Sequence, residues 1–382
     1  MATSTLLQGI SELVTNDPAL GPAPIGLIDD AALVIEDGWV VWVGPRSAAP
    51  AADRSVDLGG RAVLPGWVDS HTQVVHGLDP GRGPQPDAPS TVAATRAADD
   101  AALLAQARRQ RARMLLGGTT CAATATGFGL TALDERRAAL TAAAAGFEEI
   151  AFLGAHLVPQ ENHEDPDGYV DLVCGPMLDA VDGSVGWIDV CCGGTAFDEA
   201  QSRRVLAAGQ RKGLGLRVRA DPPDPGAGVR MAVDVGAAAV AHCTGLSAAD
   251  VDQLAGSTTV ATLLPVADLA TGRPPAPGRA LLDAGAVVAL ASDCNPVSCG
   301  SSSMNLVVAL AVRSWGLTPA VAVLAATAGG AAALRRPDVG HLAPGARADL
   351  HVLDAPSHLA LVHQIGMPLT DRVVRHGVAV TA

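Results

Sequence analysis

Short apolar runs that end on a polar or charged side chain recur along the middle of this chain, and they set its predicted architecture. They are Trp67-Val68, Thr119 to Ala125, Ile150 to His156, Trp187 to Cys191, Gly215 to Arg219, Ala238 to His242, Thr259 to Leu264 and Ala286 to Asp293. Between them lie helical stretches, such as the Ala-, Leu- and Arg-rich segment Ala97 to Leu116, which Gly117-Gly118 closes. Strand alternating with helix implies parallel strands joined by crossover helices. Eight such strands favour a closed (β/α)8 TIM-like barrel over an open doubly wound sheet. The polar run ends would then gather at the C-terminal rim, where such barrels place their chemistry.

The flanks of the chain follow a different rule. Ala32 to Ile35 and Trp39 to Val43 flank Asp37-Gly38, a hairpin signal because a type I′ turn needs positive φ at both central residues. Val56 to Val63 supplies a further strand. After the barrel, Met304 to Trp315 and Pro319 to Leu334 read as helices, and Gly340 to Asp354 and Arg372 to Val380 return to strand patterning. The expectation is a small β-sandwich built from both termini, residues 1–64 and 345–382, with the barrel over 65–344.

Composition narrows the partners. The 382 residues carry a net charge of −13, which argues against nucleic acid or an anionic membrane surface and leaves a small-molecule substrate. No apolar run approaches the roughly 18 residues that span a bilayer. Met1 to Ile10 lacks the basic start and apolar core of a signal peptide. Seven cysteines, odd in number and without a Cys-x-x-Cys pair, fit reduced thiols in a cytoplasmic protein.

The candidate chemistry centres on Pro65-Gly66-Trp67-Val68-Asp69-Ser70-His71-Thr72-Gln73. This stretch resembles the opening signature of the amidohydrolase superfamily, Pro-Gly-x-x-Asp-x-His-x-His. Further blocks are Glu36-Asp37-Gly38 with Val41 to Pro45, Ser90 to Ala97, Phe152 to His156 with Pro159, Asp293-Cys294-Asn295-Pro296 and Gly340 to Asp354. Together, and in this order over nearly the whole chain, they resemble the imidazolonepropionases. The resemblance implies a barrel with a small β-sandwich, a homodimer and one Zn²⁺ or Fe ion. That ion activates the water which opens an imidazolone ring to formiminoglutamate.

Carried over residue by residue, the resemblance divides. His71 stands at the first ligand position and Asp293 at the last, and His242 matches the histidine that relays protons. The second ligand histidine is replaced by Gln73, a neutral amide, and the strand-five histidine by Arg219. The acid or amide that follows is replaced by Pro222. Arg82, His156, Phe128, Gln73 and Asn295 are the candidate substrate-binding residues, with Arg82 suited to a carboxylate because its fork pairs bidentately. Catalysis is assigned to His242, Asp293, Arg219 and His71.

A guanidinium buried at a strand end needs an anionic partner, and Asp293 is the expected one. In that arrangement Arg219 supplies the electrostatic role of the ion. The expectation is therefore no cofactor, with His71 and Asp293 as residual ligand positions and Zn or Fe as the alternative. Cys243 and Cys294 are read as small buried hydrophobes, since strand alternation turns Cys243 away from the side that His242 faces.

Three functions stand open. The first is an imidazolonepropionase-like hydrolase cutting a cyclic amide C–N bond with little or no metal. The second is a metal-free acid/base enzyme, a cyclase, isomerase or lyase, in a specialised pathway. The third is a ligand-binding protein without catalysis, against which the presence of His71, His156, His242 and Asp293 speaks.

Overall fold

The computed structural model describes residues 3–78, 87–194, 197–220 and 225–381. Arg82 and Pro222 lie outside them. The chain forms two compact units. One comprises Met1–Asp69, Ala112–Cys121 and Ser303–Ala382, the other Ser70–Arg111 and Ala122–Ser302.

Four strands open the chain: β1 (Ser4–Val14), β2 (Leu27–Glu36), β3 (Trp39–Pro45) and β4 (Arg54–Pro65). The barrel strands follow as β5 (Trp67–Asp69), β6 (Thr119–Ala125), β7 (Glu149–Ala155), β8 (Trp187–Cys192), β9 (Gly215–Ala220), β10 (Ala239–Ala241), β11 (Val260–Leu263) and β12 (Val288–Leu290). The chain returns to strand in β13 (Leu350–Leu353), β14 (Thr370–Arg375) and β15 (Val378–Ala379).

Strands from both termini share one seven-stranded sheet, in the order β15-β14-β13-β4-β1-β2-β3. The hairpin at Asp37-Gly38 forms with φ of +49° and +85°, as its type I′ chemistry requires. Strand β1 was not foreseen, although it sits between β4 and β2. Its alternation is broken at Gly9, whose φ is +67°, and the register shifts between Leu7 and Ile10. A bulge of this kind moves the following apolar residues out of phase, so a period-2 reading fails there.

The eight central strands run in the order β5 to β12, and the neighbouring pairs from β6 through β12 are parallel. Beyond the strand ends, Thr72 bridges Cys294 in parallel, the N–H of Gln73 donates to the Cys294 carbonyl at 2.9 Å, and the N–H of Asp293 donates to the His71 carbonyl at 3.1 Å. These bonds link the first strand's extension to the last one's and bring His71 and Asp293 side by side. Every residue of β6 and β8 is buried, as parallel strands covered on both faces should be.

The helical reading of Ala97 to Leu116 needs correction. The structure has two helices, Ala88–Ala97 and Asp100–Leu116. Ala98 is extended, and the Asp99 carboxylate accepts from the Ala102 N–H at 2.7 Å, capping the second helix and ending the first. The segment from Pro319 to Leu334 is helical but is interrupted by a π-helical turn at Ala325–Gly329.

Candidate active site

The rim of the barrel unit encloses a cavity of about 130 Å³ lined by Gln73, Phe128, His156, Arg219, His242 and Asp293, among others. All the site residues expected from sequence that lie among the described residues are on it, except His71, which is buried directly behind. Two of these residues carry unusual backbone. His242 and Asp293 sit at the ends of β10 and β12 with φ of +60° and +50°, a region side chains other than glycine rarely adopt. Strain of this sort persists where the surroundings over-determine it, and here it turns both side chains into the barrel mouth.

His71, His242 and Asp293 form the core of the site. Their ligand-capable atoms all lie within 4.8 Å of one another. His71 Nε2 and Asp293 Oδ1 face each other at 3.6 Å, and both are buried with no hydrogen-bond partner among the described residues. The other Asp293 oxygen, Oδ2, accepts from Ser298 Oγ at 2.8 Å, which fixes the carboxylate plane. Burial lowers the His71 pKa well below the ordinary value, and the positive charges of Arg219 and then of neighbouring groups add to this. His242 falls to about 3 for the same reason, with Arg219 and Arg273 contributing. Both rings are therefore neutral near pH 7 and each has one lone pair to give. Burial raises the Asp293 pKa, and the charge of Arg219 opposes it.

Arg219 does not pair with Asp293 as expected. Its Nε donates to Asp189 Oδ2 at 3.0 Å, and its Nη1 donates to Gln73 Oε1 at 3.3 Å. Both members of the Arg219–Asp189 pair are buried. The strand register explains the choice. Cys191 of β8 lies opposite Arg219 of β9, and Asp189, two residues before Cys191, shares its inward face. Asp189 was overlooked, although an acid in the middle of the apolar run Trp187 to Cys191 was a readable signal. A lone charge on a buried strand demands a partner.

Gln73 takes no part in the cluster. Its Nε2 donates to the Thr126 carbonyl at 2.7 Å while its oxygen receives Arg219, so the amide joins the arginine to the wall. His156 Nδ1 donates to the Gly127 carbonyl at 2.8 Å, which leaves Nε2 as an acceptor, and its ring meets Phe128 edge-on at 5.2 Å. Burial and the charge of Arg219 lower the His156 pKa to about 4. The Asn295 amide is spent within its own turn. It accepts from the Val297 and Ser298 N–H groups at 2.8 Å each and donates to the Asp293 carbonyl at 2.9 Å. It shapes the segment that carries Asp293 and presents the cavity with a wall. Cys243 is buried with its thiol pushed up to about 12 by burial, which suits a structural cysteine.

The loop bearing Phe128 is held from below by Glu135, another residue the sequence did not single out. This fully buried carboxylate accepts from the Gly127, Gly129 and Leu130 N–H groups at 2.7–3.2 Å. Gly127 has φ of +103°, and a Cβ there would lie 2.8 Å from the Leu153 carbonyl and 3.0 Å from Gln73 Nε2, so only glycine fits. Glu135→Gln exchanges an acceptor for a donor facing these N–H groups and is expected to lower stability by about 1–3 kcal/mol in chemical denaturation. An unchanged midpoint would show that the loop finds other acceptors.

Comparison with known proteins bears on the cluster. Residues 198–379 match the amidohydrolase family. The chain is 54% identical to imidazolonepropionase of Saccharopolyspora erythraea, covering 99% of each chain, and 52% identical to that of Salinispora tropica, covering 98% of each. The fold is similar to a solved structure of a mutant atrazine chlorohydrolase from Arthrobacter aurescens complexed with zinc and atraton. That match has a TM-score of 0.75 at 21% identity and covers 98% of this chain and 94% of that one.

The expectation of no cofactor is thereby overturned. A chain of this fold is seen with zinc, and this chain assembles a His/His/Asp group with two buried atoms that lack a partner. Gln73 and Arg219 stand at two of the ligand positions that the resemblance implies, and His242 joins His71 and Asp293 in a different donor set.

Proposed function

Since the chain belongs to the imidazolonepropionase family of amidohydrolases, we propose that it hydrolyses the ring C–N bond of an imidazolone carrying a carboxylate side chain, with a divalent metal held by His71, His242 and Asp293. The observation that carries this reading is the facing pair of buried, unpartnered atoms, His71 Nε2 and Asp293 Oδ1. A buried polar atom without a partner calls for an explanation, and two that face each other beside a third donor, His242, fit a bound ion. Two neutral imidazoles and a carboxylate are a donor set that would suit catalytic zinc. Such an ion, when bound, polarises the carbonyl and lowers the pKa of water.

The chain's own residues supply the rest. Phe128 packs against the substrate ring, and the free nitrogen of His156 accepts a ring N–H. Arg219, locked by Asp189 and Gln73, presents its charge to the carbonyl oxygen as it turns negative. Asp293 takes a proton from the attacking water and delivers it to the ring nitrogen as the C–N bond breaks. The expected carboxylate clamp, Arg82, lies outside the described residues and remains part of the proposal on its sequence position alone. A homodimer and a cytoplasmic location belong to the same proposal, supported by the family resemblance. No helix among the described residues is long and apolar enough to cross a membrane.

Incubation with imidazolonepropionate tests the reading through loss of ring absorbance. Chelation is expected to reduce turnover by more than about 100-fold, with recovery on adding Zn²⁺. Equal turnover by metal-stripped protein would refute it.

A further inference from the structure

Arg273 occupies a position at this site that the reaction above does not use. It follows Gly272, which ends the helix Pro265–Thr271 in the left-handed region at φ +67°, and its backbone N–H donates to the Asp268 carbonyl at 2.9 Å. This cap fixes where the chain leaves the helix. From there Arg273 Nη1 lies 3.2 Å from His242 Nδ1. A guanidinium has donors only, so Nδ1 must be the acceptor, and the neutral ring then carries its single proton on Nε2. Histidines that ligate metals show the reverse, with the second nitrogen donating to a carboxylate, carbonyl or water.

We propose that Arg273 and a divalent cation compete for the one lone pair of His242, so that the guanidinium sets how tightly the His71–His242–Asp293 group takes its ion. The inference rests on the metal reading above. The competition holds whichever nitrogen faces the cation. At Nδ1 the ion displaces the guanidinium directly. At Nε2 the proton must first move to Nδ1, where it meets a group that offers it no acceptor. Asp268 is the acidic side chain that feels the charge of Arg273. Its side chain is buried, and the charge of Arg273 pulls its carboxyl down against burial, which pushes it up to about 7.

The test uses the full chain, stripped of metal, with zinc alone titrated against a chromophoric chelator. Arg273→Met is expected to tighten zinc binding by about tenfold or more, and the same substitution in a His242→Asn background to change nothing. Equal or weaker binding by Arg273→Met, in proteins that do bind zinc, would overturn the competition alone. Zinc bound by no variant would overturn the metal reading and this inference together. A measurement on the unmodified chain guards against misfolding of the variant. Side-chain ¹⁵N spectra should show His242 protonated at Nε2 in the zinc-free protein, and an Nδ1 proton there would refute the proposal.

Discussion

Asp189→Asn is expected to destabilise the barrel unit by about 3–5 kcal/mol, because it leaves the buried Arg219 cation without its hydrogen-bonded counter-charge. The side chains of Arg219 and Asp189 are only 5% and 2% exposed and meet at 3.0 Å, so solvent cannot screen the loss. Burial works against the charge of Arg219, and Asp189, together with Asp293 and its other neighbours, more than offsets it, so the guanidinium stays ionised in the native protein. A second cation aggravates the case. Arg217 stands directly opposite Asp189 in the register of β8 and β9, and its guanidinium lies 5.9 Å from the Trp187 ring. The measurement is denaturant unfolding followed by circular dichroism. The double variant Asp189→Leu, Arg219→Met removes both charges together and should recover most of the loss, since a buried pair replaced by apolar groups is often neutral. A single variant as stable as the parent would show that Arg219 has another counter-charge.

The fold was legible because its signals are local and repeated. Each barrel strand is a short apolar run, and where a polar residue ends one it stands at the rim whatever the details of packing. Thus His156, Arg219, His242 and Asp293 could be placed on one cavity from sequence order alone. Two kinds of information were not local. One is phase: Gly9 breaks the alternation of β1, and Asp99 breaks a helix that composition alone would continue. The other is pairing across strands. Arg219 could be recognised as a buried cation, but its choice of Asp189 over Asp293 depends on the register of β8 against β9, which no single strand encodes.

The same limit misjudged the metal. Gln73 and Arg219 were read as two ligands lost from a set of four. The structure shows them bonded to each other and to the wall, away from a different triple in which His242 joins His71 and Asp293. Which histidines converge depends on the φ of +60° at His242. That left-handed turn is invisible in a residue whose neighbours, Ala241 and Cys243, signal only a strand ending.

Asp293→Asn is the substitution from which the largest loss of activity is expected, more than about 100-fold in kcat/KM, since even groups that only support a metal ligand are worth 10–100-fold. The fold should survive it. Asp293 is held by its backbone N–H on the His71 carbonyl and by the turn that Asn295 organises, and neither bond involves the carboxylate oxygens. Ser298 Oγ, which now donates to Oδ2 at 2.8 Å, can rotate to accept from an amide instead. What the asparagine removes is the negative charge facing His71 Nε2 at 3.6 Å, and with it both the anionic ligand and the proton acceptor of the proposed reaction. Ser298→Ala separates the two losses. It leaves the charge but frees the carboxylate to turn, so it should keep bound zinc while lowering kcat by about tenfold, the low end of what orienting groups contribute. If Asp293→Asn retained both its zinc and most of its turnover, the cluster would not be the catalytic centre. If it lost zinc but kept turnover, the metal reading would fall with it, and the proton acceptor would have to be sought elsewhere on the cavity wall, with His156 the first candidate because its Nε2 is free.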